Sequence, residues 1–248
     1  MPDIKVEDHI YVPNARLSDE KYPFALRKVK VLELSKRSIL VDDPSSSDSP
    51  VWIGSSQVHK NARILILRIG DGDITNEMTL LNPISKSILQ YLRLLVQDEN
   101  ALRIDLRTVS ELKDIYRREA SGYSHIVLIG HGNVKGELVF SAEESMTGAV
   151  LARELSQLSG EKKKFISLCC NTGFAKFARD FSSAPCCELL IAPAGTLHGA
   201  DASQFMQTFL GYHFLRGYTA PVAFKNARSN VPGGAVLKLW VNGMTNKR

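Results

Sequence analysis

From about residue 62 onward, short apolar runs alternate with stretches whose apolar residues recur at helical spacing. Residues 64–67 read Ile-Leu-Ile-Leu, an uninterrupted apolar run typical of a strand buried on both faces. After Pro83, apolar residues recur three and four positions apart, which predicts an amphipathic helix over 83–96. The same alternation predicts strands over 64–67, 102–106, 125–129, 165–169, 189–192 and 236–241, and helices over 83–96, 109–119, 147–158, 174–181, 202–215 and 221–228. Strands separated by helices indicate βαβ units, so we predict an α/β fold with a mostly parallel six-stranded sheet.

The first 60 residues have a different pattern, in which apolar and polar residues alternate over short runs. Residues 29–32, 38–41 and 51–53 are rich in Val, Ile and Leu, and polar residues separate the three runs. Such alternation is typical of half-buried strands. We therefore predict a small β-rich module of the SH3-like barrel type over residues 1–60, ahead of a second domain over 61–248.

The composition is that of a folded protein outside the membrane. Of the 248 residues, 44% are hydrophobic, which is enough for a core and excludes a wholly disordered chain. No window approaches the ~18 consecutive apolar residues of a spanning helix, and the N-terminus lacks the apolar run of a secretion signal. The net charge of +5 is spread along the chain, and its densest basic run, residues 162–164, is typical of solvated surface. We expect a cytoplasmic protein that binds neither a membrane nor a nucleic acid.

The four cysteines form two adjacent pairs, Cys169–Cys170 and Cys186–Cys187. A disulfide framework is not expected, because the cytosol keeps thiols reduced. Paired zinc ligands are usually two to four residues apart, so adjacent cysteines do not predict a metal site. We expect no metal and no cofactor. Either at least one cysteine is chemically active, or all four are small buried apolar residues.

His131 and Cys170 follow two of the predicted buried strands, 125–129 and 165–169. Functional groups of parallel sheets collect at the carboxyl ends of the strands, so we expect the two side chains at one edge. A histidine within reach of a cysteine is what a thiol nucleophile requires. The N–H groups of Gly132 and Cys170 would then form an oxyanion hole. The alternative is a hydrogen-bonded structural histidine and an inert packing cysteine.

The other histidines show no such arrangement. His125 begins its strand at the end away from this edge, and no nucleophile or ligand spacing accompanies the rest, which are His9, His59, His198 and His213.

Two segments resemble a known family. Residues 124–132, Ser-His-Ile-Val-Leu-Ile-Gly-His-Gly, resemble the strand–histidine–glycine segment of the caspase-like cysteine peptidases of clan CD. Residues 168–173, Leu-Cys-Cys-Asn-Thr-Gly, resemble the Ala-Cys-x-Thr-Gly segment of its bacterial CHAT-type branch. The resemblance covers about residues 62–245 and implies a caspase-like three-layer sandwich. The first 60 residues fall outside it.

By this resemblance, His131 is the general base and Cys170 is the nucleophile that forms the acyl-enzyme. The amides of Gly132 and Cys170 are the oxyanion donors. A shift of one residue would make Cys169 the nucleophile, but only Cys170 keeps the family spacing to the Thr-Gly that follows it.

The residues around this pair leave substrate preference open. Leu168 stands where Arg/Lys-specific relatives commonly have an acidic residue and caspases have Gln, which allows an apolar or mixed side chain before the scissile bond. Asp71, Asp73 and Asp201 are candidates to bind a basic substrate group through a charge-assisted pair, with Leu168 and Cys169 also lining the site. The alternative is that Asp71 and Asp73 belong to a turn and that Asp201 caps the following helix.

We therefore predict a cysteine endopeptidase that cleaves a specific protein partner, in bacterial defence or signalling as the resemblance implies. One alternative is a catalytically silent caspase-like scaffold or sensor that binds partner proteins. Another is a thiol-redox protein, which the strain of rings between adjacent cysteines disfavours. The gap after the helix over 174–181 is too short for the cleavable linker of eukaryotic caspases. We expect control by a regulatory or activating protein partner, a ligand-sensing subunit or the N-terminal module instead.

Overall fold

The chain begins with a four-stranded antiparallel sheet. The computed structural model describes residues 4–17, 22–43, 50–141, 144–158 and 162–245. The strands β1 (His9–Pro13), β2 (Leu26–Leu34), β3 (Ser38–Val41) and β4 (Val51–Gly54) pair in sequence order. Alternate residues such as Ile10, Val12 and Val29 form a small core, as the period-two pattern predicts. β1 lies ahead of the predicted strands, and the sheet is an open meander over the described residues, so the SH3-like assignment stays a prediction.

A larger sheet forms the centre of the remaining chain. In the described ranges, the strands after β4 are β5 (Ile64–Ile69), β6 (Ala101–Leu106), β7 (His125–Ile129), β8 (His131–Gly132), β9 (Leu138–Val139), β10 (Ser145–Met146), β11 (Lys163–Ser167), β12 (Cys187–Pro193), β13 (Leu237–Val241) and β14 (Met244–Thr245). Seven of them pair in the order β14-β13-β12-β11-β7-β5-β6. The strands from β12 to β6 are parallel, and β13 and β14 are antiparallel.

The α/β class and the mostly parallel sheet are thus confirmed, with seven strands where six were predicted. The additional strand, β14, has two residues and pairs with β13 across a short turn. Asn242 and Gly243 in that turn both have positive φ, 48° and 75°. Asn-Gly is the residue pair that two-residue hairpin turns favour.

Helices cover both faces of the seven-stranded sheet. The helices of the described residues are α1 (Ile74–Asn76), α2 (Asn82–Leu95), α3 (Val109–Glu119), α4 (Gly148–Ser156), α5 (Ala175–Ser182), α6 (Gly199–Leu210) and α7 (Ala220–Asn230), with π-helical turns over Glu77–Leu81 and Gly211–Leu215 and 3₁₀ turns over Asn14–Arg16, Ser55–Gln57, Asp98–Asn100, Ala120–Gly122 and Pro232–Val236. None of the helices in these ranges has the length and apolar content that crossing a bilayer requires.

The alternation of side chains along β5 divides the core into two halves. Ile64 and Ile66 pack in one half with residues of α2, α6 and α7. Leu65 and Leu67 point the other way and pack with residues of α3, α4 and α5. Because successive residues of a strand face opposite sides, a run of apolar residues is buried on both. The result is the predicted three-layer arrangement.

The N-terminal sheet is attached to the larger core. The Ala25 N–H donates a hydrogen bond of 2.7 Å to the carbonyl of Leu95, the last residue of α2. Ala25 and Leu26 are buried in the same core half as α2. The stretch before residue 61 therefore shares a hydrophobic core with the sheet that follows it.

Candidate active site

The segments that carry His131 and Cys170 meet at one edge of the sheet. β7 and β11 are parallel neighbours, so their carboxyl ends lie side by side. His131 follows β7 as the first residue of β8, and Cys170 follows β11. Gly132 lies against the backbone of Cys170: a Cβ atom placed on Gly132 would be 1.8 Å from the Cys170 carbonyl oxygen. This close approach requires glycine at position 132.

Hydrogen bonds hold the turn after Cys170 against the turn after His131. Asn171 has a φ of 65°, a left-handed conformation that asparagine tolerates better than most residues. Its Nδ2 donates a hydrogen bond of 3.0 Å to the Asn133 carbonyl. The buried Thr172 hydroxyl donates to the Cys169 carbonyl at 2.7 Å. Asn133 and Asn171 were not predicted as site residues. The position of Asn171 directly after Cys170 is, however, a sequence signal for a left-handed turn.

The two adjacent thiols have different environments. Cys169 is fully buried, and this burial raises the pKa of its thiol to about 12, which disfavours the thiolate at neutral pH. Cys170 is only partly buried. Its Sγ accepts a contact of 3.4 Å from the N–H of Leu197, in the loop before α6. Because Cys170 is partly accessible and Cys169 is enclosed, Cys170 is the better placed nucleophile of the pair.

Asp71 lies beside His131. Its Oδ2 is 3.4 Å from the imidazole Nε2, and both side chains are largely shielded from solvent. Asp71 follows β5, which is the neighbour of β7 on the side away from β11. Its other oxygen, Oδ1, accepts a hydrogen bond from the Asp73 N–H at 2.9 Å. The carboxylate is therefore held in a turn and faces the imidazole, and no hydrogen bond joins His131 to Cys170 within the described residues.

Two backbone N–H groups near the thiol have no partner in the secondary structure. The Asn133 N–H donates to the Glu137 carbonyl at 3.0 Å. Because hydrogen-bonded pairs alternate along an antiparallel ladder, the Gly132 N–H points away from β9. The Cys170 N–H donates to no other described residue. Unpaired N–H groups beside a nucleophile are the requirement for an oxyanion hole.

The remaining predicted residues have other surroundings. Asp73 is the N-cap of α1, where its Oδ1 accepts from the Thr75 N–H at 2.9 Å. Asp201 lies in the first turn of α6, whose N-cap is His198 rather than Asp201. Leu168 and Cys169 are buried. Their side chains face the core rather than solvent.

Comparison with known proteins finds distant similarity in structure and no match in sequence. No protein-family model matches the chain, and no curated protein matches it. Among solved structures, the chain is similar to Saccharomyces cerevisiae separase in its complex with securin, with 11% identity and a TM-score of 0.46 over 72% of this chain and 12% of that chain. It is also similar to an inactive zymogen C11 protease from Parabacteroides distasonis, with 15% identity and a TM-score of 0.43 over 68% of this chain and 60% of that chain. Both TM-scores are below 0.5, so no activity is transferred from either protein.

Proposed function

We propose that the protein is a caspase-like cysteine endopeptidase with a catalytic dyad of His131 and Cys170. The observation that carries the proposal is the packing of Gly132 on the Cys170 backbone, which brings the two strand ends together around a partly exposed thiol. If His131 were only structural and Cys170 only a packing residue, nothing would require the thiol to be accessible or the two nearby N–H groups to be unpaired. The likeness of residues 168–173 to the CHAT-type segment supports that branch and a role in bacterial defence or signalling.

The reaction follows from this arrangement. A substrate peptide places its scissile carbonyl oxygen on the N–H groups of Gly132 and Cys170. His131 accepts the thiol proton, and the thiolate attacks the carbonyl carbon. As the tetrahedral intermediate collapses, the carbon–nitrogen bond breaks and the imidazolium gives its proton to the leaving amine. Water, deprotonated by His131, then hydrolyses the thioester and releases the free thiol.

Asp71 is proposed as a positioning residue for His131, rather than as a binding residue for a basic substrate group. Its carboxylate is 3.4 Å from Nε2, which leaves Nδ1 as the nitrogen that takes the thiol proton. A carboxylate at this position also stabilises the imidazolium that forms during the reaction.

The surroundings of the dyad favour an apolar residue before the scissile bond. Asp73 is engaged in capping α1 and Asp71 faces His131. Exposed apolar side chains instead follow both catalytic segments: Val134 is 88% exposed and Phe174 is 37% exposed. Ile74 and Met78, which follow Asp73, are also exposed. An extended protein segment with an apolar side chain would bury this surface on binding.

Selective labelling of Cys170 tests the proposed activity. The intact chain is treated with one equivalent of a peptidyl electrophile with an apolar terminal residue, and the modified cysteine is mapped by mass spectrometry. We expect single labelling at Cys170 in the wild type and in the matched control Cys169→Ala. We expect labelling at least ~100-fold slower in His131→Ala, since a general base contributes about that much or more.

Two other outcomes would change the assignment. Rapid labelling at Cys169 would move the nucleophile by one residue. Slow labelling of all four cysteines, unchanged in His131→Ala with an intact circular dichroism spectrum, would replace the peptidase by a catalytically silent scaffold.

A further inference from the structure

Three buried histidines meet at the end of the sheet opposite the dyad. His59 precedes β5, His125 is the first residue of β7, and His213 lies in the π-helical turn after α6. Their exposed fractions are 5%, 0% and 2%. One ring nitrogen of each lies within 4.8 Å of those of the other two. Residues separated by up to 154 positions are thus brought together by the fold alone.

The hydrogen bonds of two of these rings determine which nitrogen is free. The Nδ1 of His213 is 2.7 Å from the Tyr218 carbonyl, which only accepts, so Nδ1 carries the proton. The Nδ1 of His125 is 2.8 Å from the Ser124 hydroxyl, which itself donates to the Arg63 carbonyl. The Nε2 atoms of His125 and His213 are therefore unprotonated acceptors, and both are buried without a hydrogen-bond partner.

Such unpaired buried acceptors are costly, and a metal ion would satisfy them. A ligating histidine characteristically donates its second ring N–H to a carbonyl or hydroxyl oxygen, which orients the free nitrogen. Burial lowers the pKa of all three imidazoles, that of His213 to about 4. A lowered pKa favours the neutral imidazole, which is the form that binds a metal ion.

We propose that His59, His125 and His213 bind one divalent transition-metal ion of the Zn²⁺ class. Three neutral imidazoles suit zinc, whose bonds of about 2.0–2.1 Å require nitrogen atoms about 3.3 Å apart in a tetrahedral site. Side-chain movements of about 1 Å would close the present separations to that distance. Phe209 and Phe214 pack against these rings, and the charge of the neighbouring Lys164 is paired with Glu188 at 2.9 Å. The fourth ligand is a water or an added anion.

The role of this ion would be structural. It would join the segment that follows the N-terminal sheet, the first residue of a central strand and the turn after α6. An ion that binds only the folded chain stabilises it by mass action. The site is far along β7 from His131, so its occupancy does not depend on whether Cys170 is a nucleophile.

Metal binding is tested on the full chain with Cys170→Ala, which removes the exposed thiol as a competing ligand. The protein is stripped with a chelator and titrated with Zn²⁺ and, separately, with Co²⁺. We expect one ion per chain, a rise in Tm of about 5–10 °C at a hundredfold excess over Kd, and visible Co²⁺ absorption of a tetrahedral nitrogen site without a thiolate charge-transfer band. Less than a tenth of an ion per chain with an unchanged Tm would overturn the proposal.

Substitutions locate the ion. His213→Gln and His59→Asn should each abolish the Zn²⁺-dependent rise in Tm, whereas His9→Asn, at an exposed position of β1, should retain it. If His213→Gln fails to fold, the Co²⁺ spectrum of the protein with all three histidines intact still shows whether a tetrahedral nitrogen site forms. A metal-dependent rise in Tm that survives both substitutions would place the ion elsewhere and overturn the proposal.

Discussion

At the scale of single residues, the contact between Gly132 and Cys170 determines the geometry of the candidate site. It places the backbone of the segment after β7 on that of the segment after β11, and the Asn171–Asn133 hydrogen bond holds the two together. The proposed dyad does not require a hydrogen bond between His131 and Cys170 in the free protein, because catalytic hydrogen bonds often tighten only in the complex.

Gly132→Ala should slow labelling of Cys170 by at least ~100-fold, since the added methyl group displaces the turn that carries the thiol and an oxyanion donor. Labelling rates with the peptidyl electrophile measure the effect. Gly54→Ala is the matched control, because its Cβ would meet only the flexible end of Gln57 at 3.2 Å. A Gly132→Ala rate within twofold of the wild type would show that this contact does not position the thiol.

Asp71→Asn should lower kcat by up to about 100-fold with little change in KM, because a misoriented base slows the chemical step without altering binding. The measurement is steady-state kinetics on a peptide substrate with the same sequence as the electrophile that labels Cys170. Asp71→Glu should recover part of the loss. Asp73→Asn serves as the control, since Asp73 caps α1 and Asn is nearly as good a cap as Asp. A change in KM alone would instead assign Asp71 to substrate binding.

At the scale of elements, a buried ion-pair network supports the segment that carries Asp71. Arg68 of β5 contacts Glu77 of the π-helical turn at 3.0 Å and Asp105 of β6 at 2.9 Å. Glu77 also accepts from the Gly72 N–H at 3.3 Å. The hydrogen bond from Arg68 lowers the pKa of the Glu77 carboxyl. The network therefore fixes the turn on both sides of Asp71.

Glu77→Gln should destabilise the fold by about 3 kcal/mol at pH 7, because it leaves the buried Arg68 without one of its two partners. The folded-state pKa of the Glu77 carboxyl lies below its usual value of 4.5 because Arg68 donates a hydrogen bond to it. The stabilisation that the Glu77 carboxylate contributes is therefore complete above the unfolded-state pKa of about 4.5. It is lost as the pH falls through the lower folded-state pKa. The difference in unfolding free energy between the wild type and Glu77→Gln should be constant above about pH 5 and shrink below about pH 4.5.

Urea unfolding at a series of pH values provides this measurement. Asp114→Asn, which breaks an exposed pair with Arg117, should change stability by less than about 0.5 kcal/mol. A Glu77→Gln difference that does not vary with pH would mean that the carboxylate charge contributes nothing.

At the scale of the whole molecule, the chain leaves little room for activation by cleavage between α5 and β12. α5 ends at Ser182 and β12 begins at Cys187. This short connection links α5 to β12, and β12 pairs with β11 in the centre of the core.

The labelled protein should consequently be an uncut chain. Intact-mass analysis after labelling should show one species of the full 27.5 kDa plus the label. Cys170→Ala, which cannot process itself, is the reference for adventitious proteolysis. Label on a fragment that ends between residues 182 and 187, absent from the Cys170→Ala sample, would show activation by self-cleavage.

Much of the architecture follows from local sequence. The helix over Val109–Glu119 has the predicted bounds, because Thr108 and Glu111 form a capping box that local sequence encodes. The central strands were predictable because a strand buried on both faces must be apolar throughout. β14 was not, since a two-residue edge strand buries little and depends on its partner for hydrogen bonds. β1 was missed although Ile10 and Val12 are buried, because five residues give only a short periodic signal.

The sequence by itself determined the alternation of the central strands and the helices between them and the positions of His131 and Cys170 at strand ends, because periodicity and turn residues act over a few neighbouring positions. Only the tertiary structure decided which groups meet. It buries Cys169 while leaving Cys170 partly accessible, places Asp71 beside His131, and gathers His59, His125 and His213 at the far end of the sheet. These contacts join residues distant in the chain, and no local spacing encodes them.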